Sequence, residues 1–173
     1  LISFAGRMTS FSYDGVTTAT PLAVLKNTGD LANVNVLNMF LGNIPGTIGE
    51  TSVVCLLVGA AYLLIRRVIK PVIPFTYIGT FAVLIMIYAV ASGRGFDLTF
   101  LAAHLCGGGL MLGAFFMATD YVTSPITPAG KVVFGVILGI LTFCFRIYGG
   151  SAEGVSYAII FSNLLVPLIE RWT

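Results

Sequence analysis

Residues 71–92 have the sequence PVIPFTYIGTFAVLIMIYAVAS, which contains no charged residue. A helix needs about 20 consecutive apolar residues to cross the hydrocarbon core of a bilayer. A soluble domain must cover its surface with polar groups and has little use for such a run. The segment therefore predicts one complete transmembrane helix.

Further apolar segments flank this one. Three on its C-terminal side are long or nearly long enough to span a bilayer: residues 98–119, 132–145 (extendable to Tyr148) and 155–169. On the N-terminal side, residues 52–65 are apolar but cover only 14 positions, which suits a short span or a re-entrant segment. We therefore predict an all-α integral membrane protein with about five transmembrane helices.

Composition supports this class. Charged residues make up 9 % of the chain and the mean hydropathy is +0.99, whereas soluble domains have about 25 % charged residues. The net charge of +2 gives no basic field of the kind that binds nucleic acid. We expect the lipid bilayer as the surrounding medium and no nucleic-acid partner.

The distribution of Lys and Arg predicts the orientation, because cytoplasmic loops collect these residues. The cluster Arg66, Arg67 and Lys70 is the strongest in the chain and is placed inside. Alternation then places residues 120–131 and the C-terminus inside, and residues 146–154 outside with the N-terminal segment. The basic residues assigned to the inside are Arg66, Arg67, Lys70, Lys131 and Arg171; those assigned to the outside are Arg7, Lys26, Arg94 and Arg146.

Residues 1–50 are rich in Thr, Asn and Gly and differ from the rest. They cannot lie in lipid as a loop, because their backbone polar groups would lack partners. We divide the chain into an extracytoplasmic segment, residues 1–50, and a transmembrane helical bundle, residues 51–173. Since the sequence begins at Leu1, we expect it to be the C-terminal part of a longer protein.

The outer segment contains the stretch DGVTTATPL at residues 14–22. Thr20 precedes Pro21, which disfavours helix and leaves the Thr20 hydroxyl presented on extended backbone. The alternative is an ordinary turn in which the Asp14 side chain caps nearby backbone groups. The residue types alone favour the turn and leave a chemical role for Thr20 open.

The pattern Asp14-x-x-Thr17-x-Ala19-Thr20 resembles a flavinylation motif, Asp-x-x-Ser/Thr-Gly-Ala-Thr, with Thr18 where glycine is common. Two more segments, residues 43–52 (NIPGTIGETS) and 113–125 (GAFFMATDYVTSP), resemble motifs of the same family in the same order. This family contains the RnfD subunit of the Rnf electron-transport complex and the NqrB subunit of the sodium-pumping NADH:quinone reductase.

The resemblance implies a subunit of about ten spans in a bacterial or archaeal cytoplasmic membrane, of which this chain is the C-terminal half. It implies an FMN joined through its phosphate to Thr20, within a motif completed by Asp14, Thr17 and Ala19. The resemblance also implies that a separate flavin transferase attaches the FMN on the outer face, where alternation places this segment. Whether a second, non-covalent flavin binds is left open by the resemblance.

The implied function is electron transfer within an ion-translocating ferredoxin:NAD⁺ oxidoreductase, with other Rnf membrane subunits as partners, including a second FMN-bearing subunit. An NqrB-like role in a quinone reductase is the near alternative. A flavin-free transporter or channel is the rival from another class, because interruptions such as those around Gly46 and Gly107 also mark transporter sites. A purely structural scaffold subunit would lack both flavin and pathway carboxylates.

Few side chains suit catalysis or metal binding, and we expect no catalytic acid, base or nucleophile. Glu50 and Asp120 border predicted spans, where they either cap helices or supply oxygen ligands to a cation pathway. Glu170 is expected to pair with Arg171. His104 is expected either to be buried and bonded to a neighbouring helix or, as an ionisable group in a span, to be functional. The three cysteines have no metal-ligand spacing: Cys55, Cys106 and Cys144.

Overall fold

The computed structural model describes residues 36–42, 52–93, 95–149 and 154–173. Within these ranges the chain is helical and contains no strand. The helices are α1 Val36–Leu41, α2 Val53–Ile65, α3 Val72–Ala91, α4 Leu98–Cys106, α5 Leu110–Leu112, which continues into a π-helical segment Gly113–Met117, α6 Pro128–Tyr148, and α7 Val155–Trp172.

Local sequence explains where the helices begin. The Asp97 carboxylate accepts hydrogen bonds from the backbone N–H groups of Thr99 (2.9 Å) and Phe100 (3.2 Å) and so caps α4. Thr127 caps α6 through a 3.1 Å bond from the Gly130 N–H, and Pro128 follows as the first helical residue. These side chains satisfy N–H groups that have no partner within the helix.

Two of the described helices, α3 and α6, are long and apolar enough to cross a membrane. A third span results if α4 and the α5–π segment, bent by 64° at their junction, are counted together. The count of five from the sequence is thus not reached among the described residues. Helix α2 has 13 residues, and α7 includes the polar residues Asn163, Glu170 and Arg171 among its 18.

Helices α3 and α6 form the most extensive interface in the described part of the chain. One face of α3 is buried at every fourth position: Ile73, Tyr77, Phe81, Ile85 and Ala89. On α6, Gly135 and Gly139 meet this face, and a Cβ added at Gly139 would lie 2.7 Å from the Thr80 Cβ. The two backbones therefore approach closely, as small residues allow between membrane helices.

The opposite face of α3 is apolar and exposed, with Val83, Ile87 and Val90 each more than half accessible. A contiguous exposed apolar face marks a surface that meets lipid or another protein. Helix α6 has a similar outer face that includes Val132 and Ile140. Both helices thus have one apolar face buried between helices and a second apolar face exposed.

The bundle brings basic residues from separate parts of the chain to one end. Lys131, in the first turn of α6, lies beside Lys70, which precedes α3. Helices α3 and α6 therefore start at the same end of the bundle, where Arg66 and Arg67 also lie between α2 and α3. This juxtaposition agrees with the assignment of these four residues to one side of the membrane.

The orientation can be tested by cysteine labelling. On a background lacking Cys55, Cys106 and Cys144, we expect Asn27→Cys to react with an impermeant thiol reagent in intact cells. We expect Val68→Cys to react only after the membrane is permeabilised, because Val68 lies in the basic loop and cytoplasmic loops collect Lys and Arg. The reverse labelling pattern would show that the orientation is inverted.

Candidate functional site

The residues predicted to hold the flavin lie outside the described part of the chain. This applies to Asp14, Thr17, Ala19 and Thr20, and equally to Glu50, the first of the two pathway carboxylates. Their assignments stay predictions from the sequence. The site that the structure describes lies instead around Arg146 and the break between α4 and α5.

Asp120, the second pathway carboxylate, lies exposed in the loop between the π-helical segment and α6. One carboxylate oxygen accepts a 3.4 Å hydrogen bond from the Val122 N–H, and the other a 3.3 Å bond from the Thr123 hydroxyl. These local bonds fit a turn-capping role, and the pathway role stays a prediction. Among the described residues, no three His, Cys, Asp or Glu side chains are grouped to hold a metal ion.

Glu170 connects this same loop to α7. Its Oε1 accepts a 2.9 Å hydrogen bond from the backbone N–H of Ile126, which lies 44 positions earlier in the chain. The sequence predicted an ion pair with Arg171, whereas the structure gives the carboxylate a backbone donor. Glu170 therefore fastens the loop before α6 to the end of α7.

A break between α4 and α5 is the most unusual feature of the backbone. Gly108 and Gly109 both have φ of 66°, in the left-handed region that glycine enters without steric cost. Helix α4 ends at Cys106, and the chain restarts after the break in a direction turned by 64°. The carbonyl oxygens at the end of α4 thus lose the helical N–H donors that would otherwise bond them.

Arg146 supplies the missing donors. Its Nη1 donates a hydrogen bond to the carbonyl oxygen of His104, and its Nη2 donates to those of Gly107 and Gly108, each at 3.1 Å. The sequence allowed this helix to extend to Tyr148 but assigned Arg146 to an outer loop, and the loop assignment was wrong. Helix α6 continues to Tyr148, and Arg146 is only 2 % exposed.

Helix α3 covers the other side of the guanidinium. The Arg146 Cζ lies 5.1 Å from the centre of the Phe81 ring, a distance at which a cation is attracted to an aromatic face. One turn away, the hydroxyls of Tyr77 and Thr142 share a buried 2.7 Å hydrogen bond. Two polar contacts thus join α3 to α6 within their shared interface.

His104 lies in the last turn of α4 and is buried, as one of its two sequence interpretations predicted. Its ring centre is 4.3 Å from that of Phe100, one turn earlier in the same helix. Its backbone carbonyl accepts from Arg146, so the residue contributes to the site through its main chain as well.

The energetics of this cluster depend on pairing. A buried cation without partners costs several kcal/mol, and so do unpaired carbonyls within a bilayer. Each offsets the cost of the other here, and the positive charge also meets the negative end of the α4 dipole. Because a guanidinium keeps its proton at any physiological pH, the Arg146 side chain can bind negative charge or carbonyl groups but does not itself transfer a proton.

Sequence reasoning missed this cluster although a signal was present. Gly135, Gly139, Thr142 and Arg146 follow one another at spacings of three or four, which places them on one face of a helix. The extension of this helix to Tyr148, which the sequence allows, places Arg146 on the same face as the two glycines.

Two long apolar helices, a bent apolar helix pair and a buried arginine at the bend define the class as a multi-pass membrane protein that is helical throughout its described residues. The chain belongs to the NQR2, RnfD, RnfE family, whose model matches residues 1–173. The resemblance inferred from the three sequence motifs is therefore confirmed at the level of the family.

Relatives with assigned names match over nearly the whole chain. The D subunit of the Na⁺-translocating ferredoxin:NAD⁺ oxidoreductase complex of Acetobacterium woodii is 43 % identical, with 100 % of this chain and 54 % of the relative covered. The D subunit of the proton-translocating complex of Clostridium ljungdahlii is 38 % identical, with 100 % and 56 % covered. The D subunit of the ion-translocating oxidoreductase complex of Haemophilus influenzae is 37 % identical, with 92 % and 46 % covered. The chain thus spans about half the length of these relatives.

Proposed function

We propose that the chain is part of a membrane subunit of an ion-translocating ferredoxin:NAD⁺ oxidoreductase complex, an Rnf complex, and that it carries electrons through a covalently bound FMN. The observation that carries this proposal is the 43 % identity, over the whole chain, with a relative whose name specifies a subunit of such a complex. The other subunits of the complex, including a second FMN-bearing one, are its proposed partners. Its proposed location is a bacterial or archaeal cytoplasmic membrane, with the flavin segment on the outer face.

Thr20 is the proposed point of attachment. A phosphoester requires a hydroxyl oxygen, and the pattern of Asp14, Thr17 and Ala19 before Thr20 supports the choice of this one among three nearby threonines. A threonine hydroxyl is a poor nucleophile without an activating base, which supports attachment by a separate transferase. The bound FMN supplies the redox chemistry, while the protein sets its position and electrostatics.

A monovalent cation is the proposed coupled ion. The printed names of two relatives specify sodium in one and protons in the other, at 43 % and 38 % identity. The carboxylates of Glu50 and Asp120 are the proposed pathway groups, because a carboxylate can bind either a sodium ion or a proton. Glu50 is the better candidate to test, since Asp120 already has two local hydrogen-bond donors.

Replacing Glu50 by glutamine tests this pathway. If the carboxylate binds the ion, Glu50→Gln is expected to slow ion-coupled turnover and to raise the cation concentration required for half-maximal rate, with flavin content unchanged. If Glu50 only caps a helix, the variant should lose about 0.3–1 kcal/mol of stability and keep the ion dependence of the parent. Asp120→Asn, measured in parallel, compares the two carboxylates under identical conditions.

A second candidate function is a flavin-free transporter, and the break at Gly107–Gly109 is the observation that favours it. Interrupted membrane helices place backbone carbonyls and helix ends at the substrate sites of many transporters. The two candidates differ in a simple observable. The redox subunit carries flavin fluorescence that survives denaturation, and the transporter carries none.

A further inference from the structure

The last turn of α4 and the break after it present three backbone carbonyl oxygens, those of His104, Gly107 and Gly108, to the side chain of Arg146. Such an arrangement at a broken membrane helix is typical of a cation site, because the carbonyls and the negative end of the helix dipole both favour positive charge. In this chain the positive charge at these carbonyls is the guanidinium of Arg146.

We propose that the break between α4 and α5 is a cation site built of carbonyl oxygens, and that the Arg146 guanidinium is its resident cation in place of a metal ion. Where the protein moves ions as proposed above, the ion path then bypasses this break. The assignment rests only on described residues and stands whether or not the chain carries flavin.

The shape of the site fits a guanidinium better than a metal ion. The oxygens are shared between two separate nitrogens, Nη1 and Nη2, so they accept from a planar fork and do not surround one central point. The Phe81 ring covers the remaining side at 5.1 Å. An aromatic face attracts a weakly hydrated guanidinium but provides no oxygen ligand for a hard cation such as sodium.

Lysine would not reproduce these contacts. Its ammonium is a compact point charge on a flexible stem, whereas the guanidinium holds its donors in a fixed plane. Arg146→Lys should therefore keep the charge but lose part of the bonding to the three carbonyls. Arg146→Ala should lose all of it and leave a cavity with the dimensions of the guanidinium.

Chemical rescue tests the proposal on the detergent-purified subunit. We expect Arg146→Ala to lower the thermal midpoint by roughly 10 °C, as expected for the loss of one partner from a buried charged network. Low-millimolar guanidinium ion should restore at least half of that loss. Urea, which has nearly the same planar shape but no charge, should restore little at the same concentration.

Arg66→Ala is the matched control, because Arg66 is an exposed arginine outside the helices. It should leave the midpoint unchanged and should not respond to low guanidinium. Rescue of Arg146→Ala by sodium or potassium ions as complete as that by guanidinium would overturn the proposal, because the three carbonyls fit a planar fork and not a spherical ion. Equal rescue by urea would overturn the proposal, since it would show only that the cavity was filled, and absence of rescue by any cation would overturn it as well.

Arg146→Lys keeps the proposal testable if the alanine variant does not fold. Amide hydrogen exchange across residues 104–109 should be faster in this variant than in the parent, because the lysine cannot hold all three carbonyls. Exchange equal to that of the parent would contradict the assignment, since it would mean that any positive charge at this position is sufficient.

Discussion

Thr20→Val is expected to abolish covalently bound flavin completely. The change removes the hydroxyl oxygen that would form the phosphoester and keeps the β-branched shape of the side chain. Valine is tolerated before Pro21, because both the position and the residue favour extended backbone. The subunit should therefore fold and insert as before while its in-gel flavin fluorescence after denaturation disappears.

Thr17→Val is the matched control, since it removes a hydroxyl three positions away by the same substitution. It should retain some covalent flavin, because its proposed role is support and not attachment. Peptide mass mapping across residues 8–26, with the flavin transferase present, locates the modification. Covalent FMN in Thr20→Val would show that the attachment site is wrong, and its absence from the parent would remove the main support for the redox function.

Gly139→Ala is expected to be among the most destabilising single-methyl changes in the described helices. The added Cβ would lie 2.7 Å from the Cβ of Thr80 and 3.2 Å from the backbone nitrogen of Phe81. Neither atom can move by side-chain rotation, so α3 and α6 must separate. Overpacking of this kind costs about 1–3 kcal/mol, and it would also pull Phe81 away from Arg146.

Gly79→Ala is the control for this prediction, because it makes the same change in α3 at a position with no atom within 4 Å of the added Cβ. It should be neutral or stabilising by up to about 1 kcal/mol through helix propensity. Thermal unfolding of both variants in the same detergent measures the difference. Similar stability of the two variants would show that the α3–α6 approach is looser than the structure indicates.

The sequence alone located the two helices that the structure confirms as long enough to span, α3 and α6. A helix that crosses a bilayer needs about 20 consecutive apolar residues. Because such long apolar runs can be recognised in the sequence, spanning helices are located without tertiary information. The interruption around Gly107 was also visible, because consecutive glycines permit backbone conformations that end a helix. The membership in the NQR2, RnfD, RnfE family follows from local motifs in the same way.

Only the tertiary structure showed where the Arg146 side chain lies and which groups it bonds. From the sequence, an arginine after an apolar run reads as the start of a loop, since lipid rejects an unpaired charge. Its three partner carbonyls come from a helix end far earlier in the chain, and they become available only because α4 breaks at Gly107. Pairing between a buried cation and a helix end is a long-range property, so local hydropathy determined the spans while the packing of α3, α4 and α6 determined which charge lies among them.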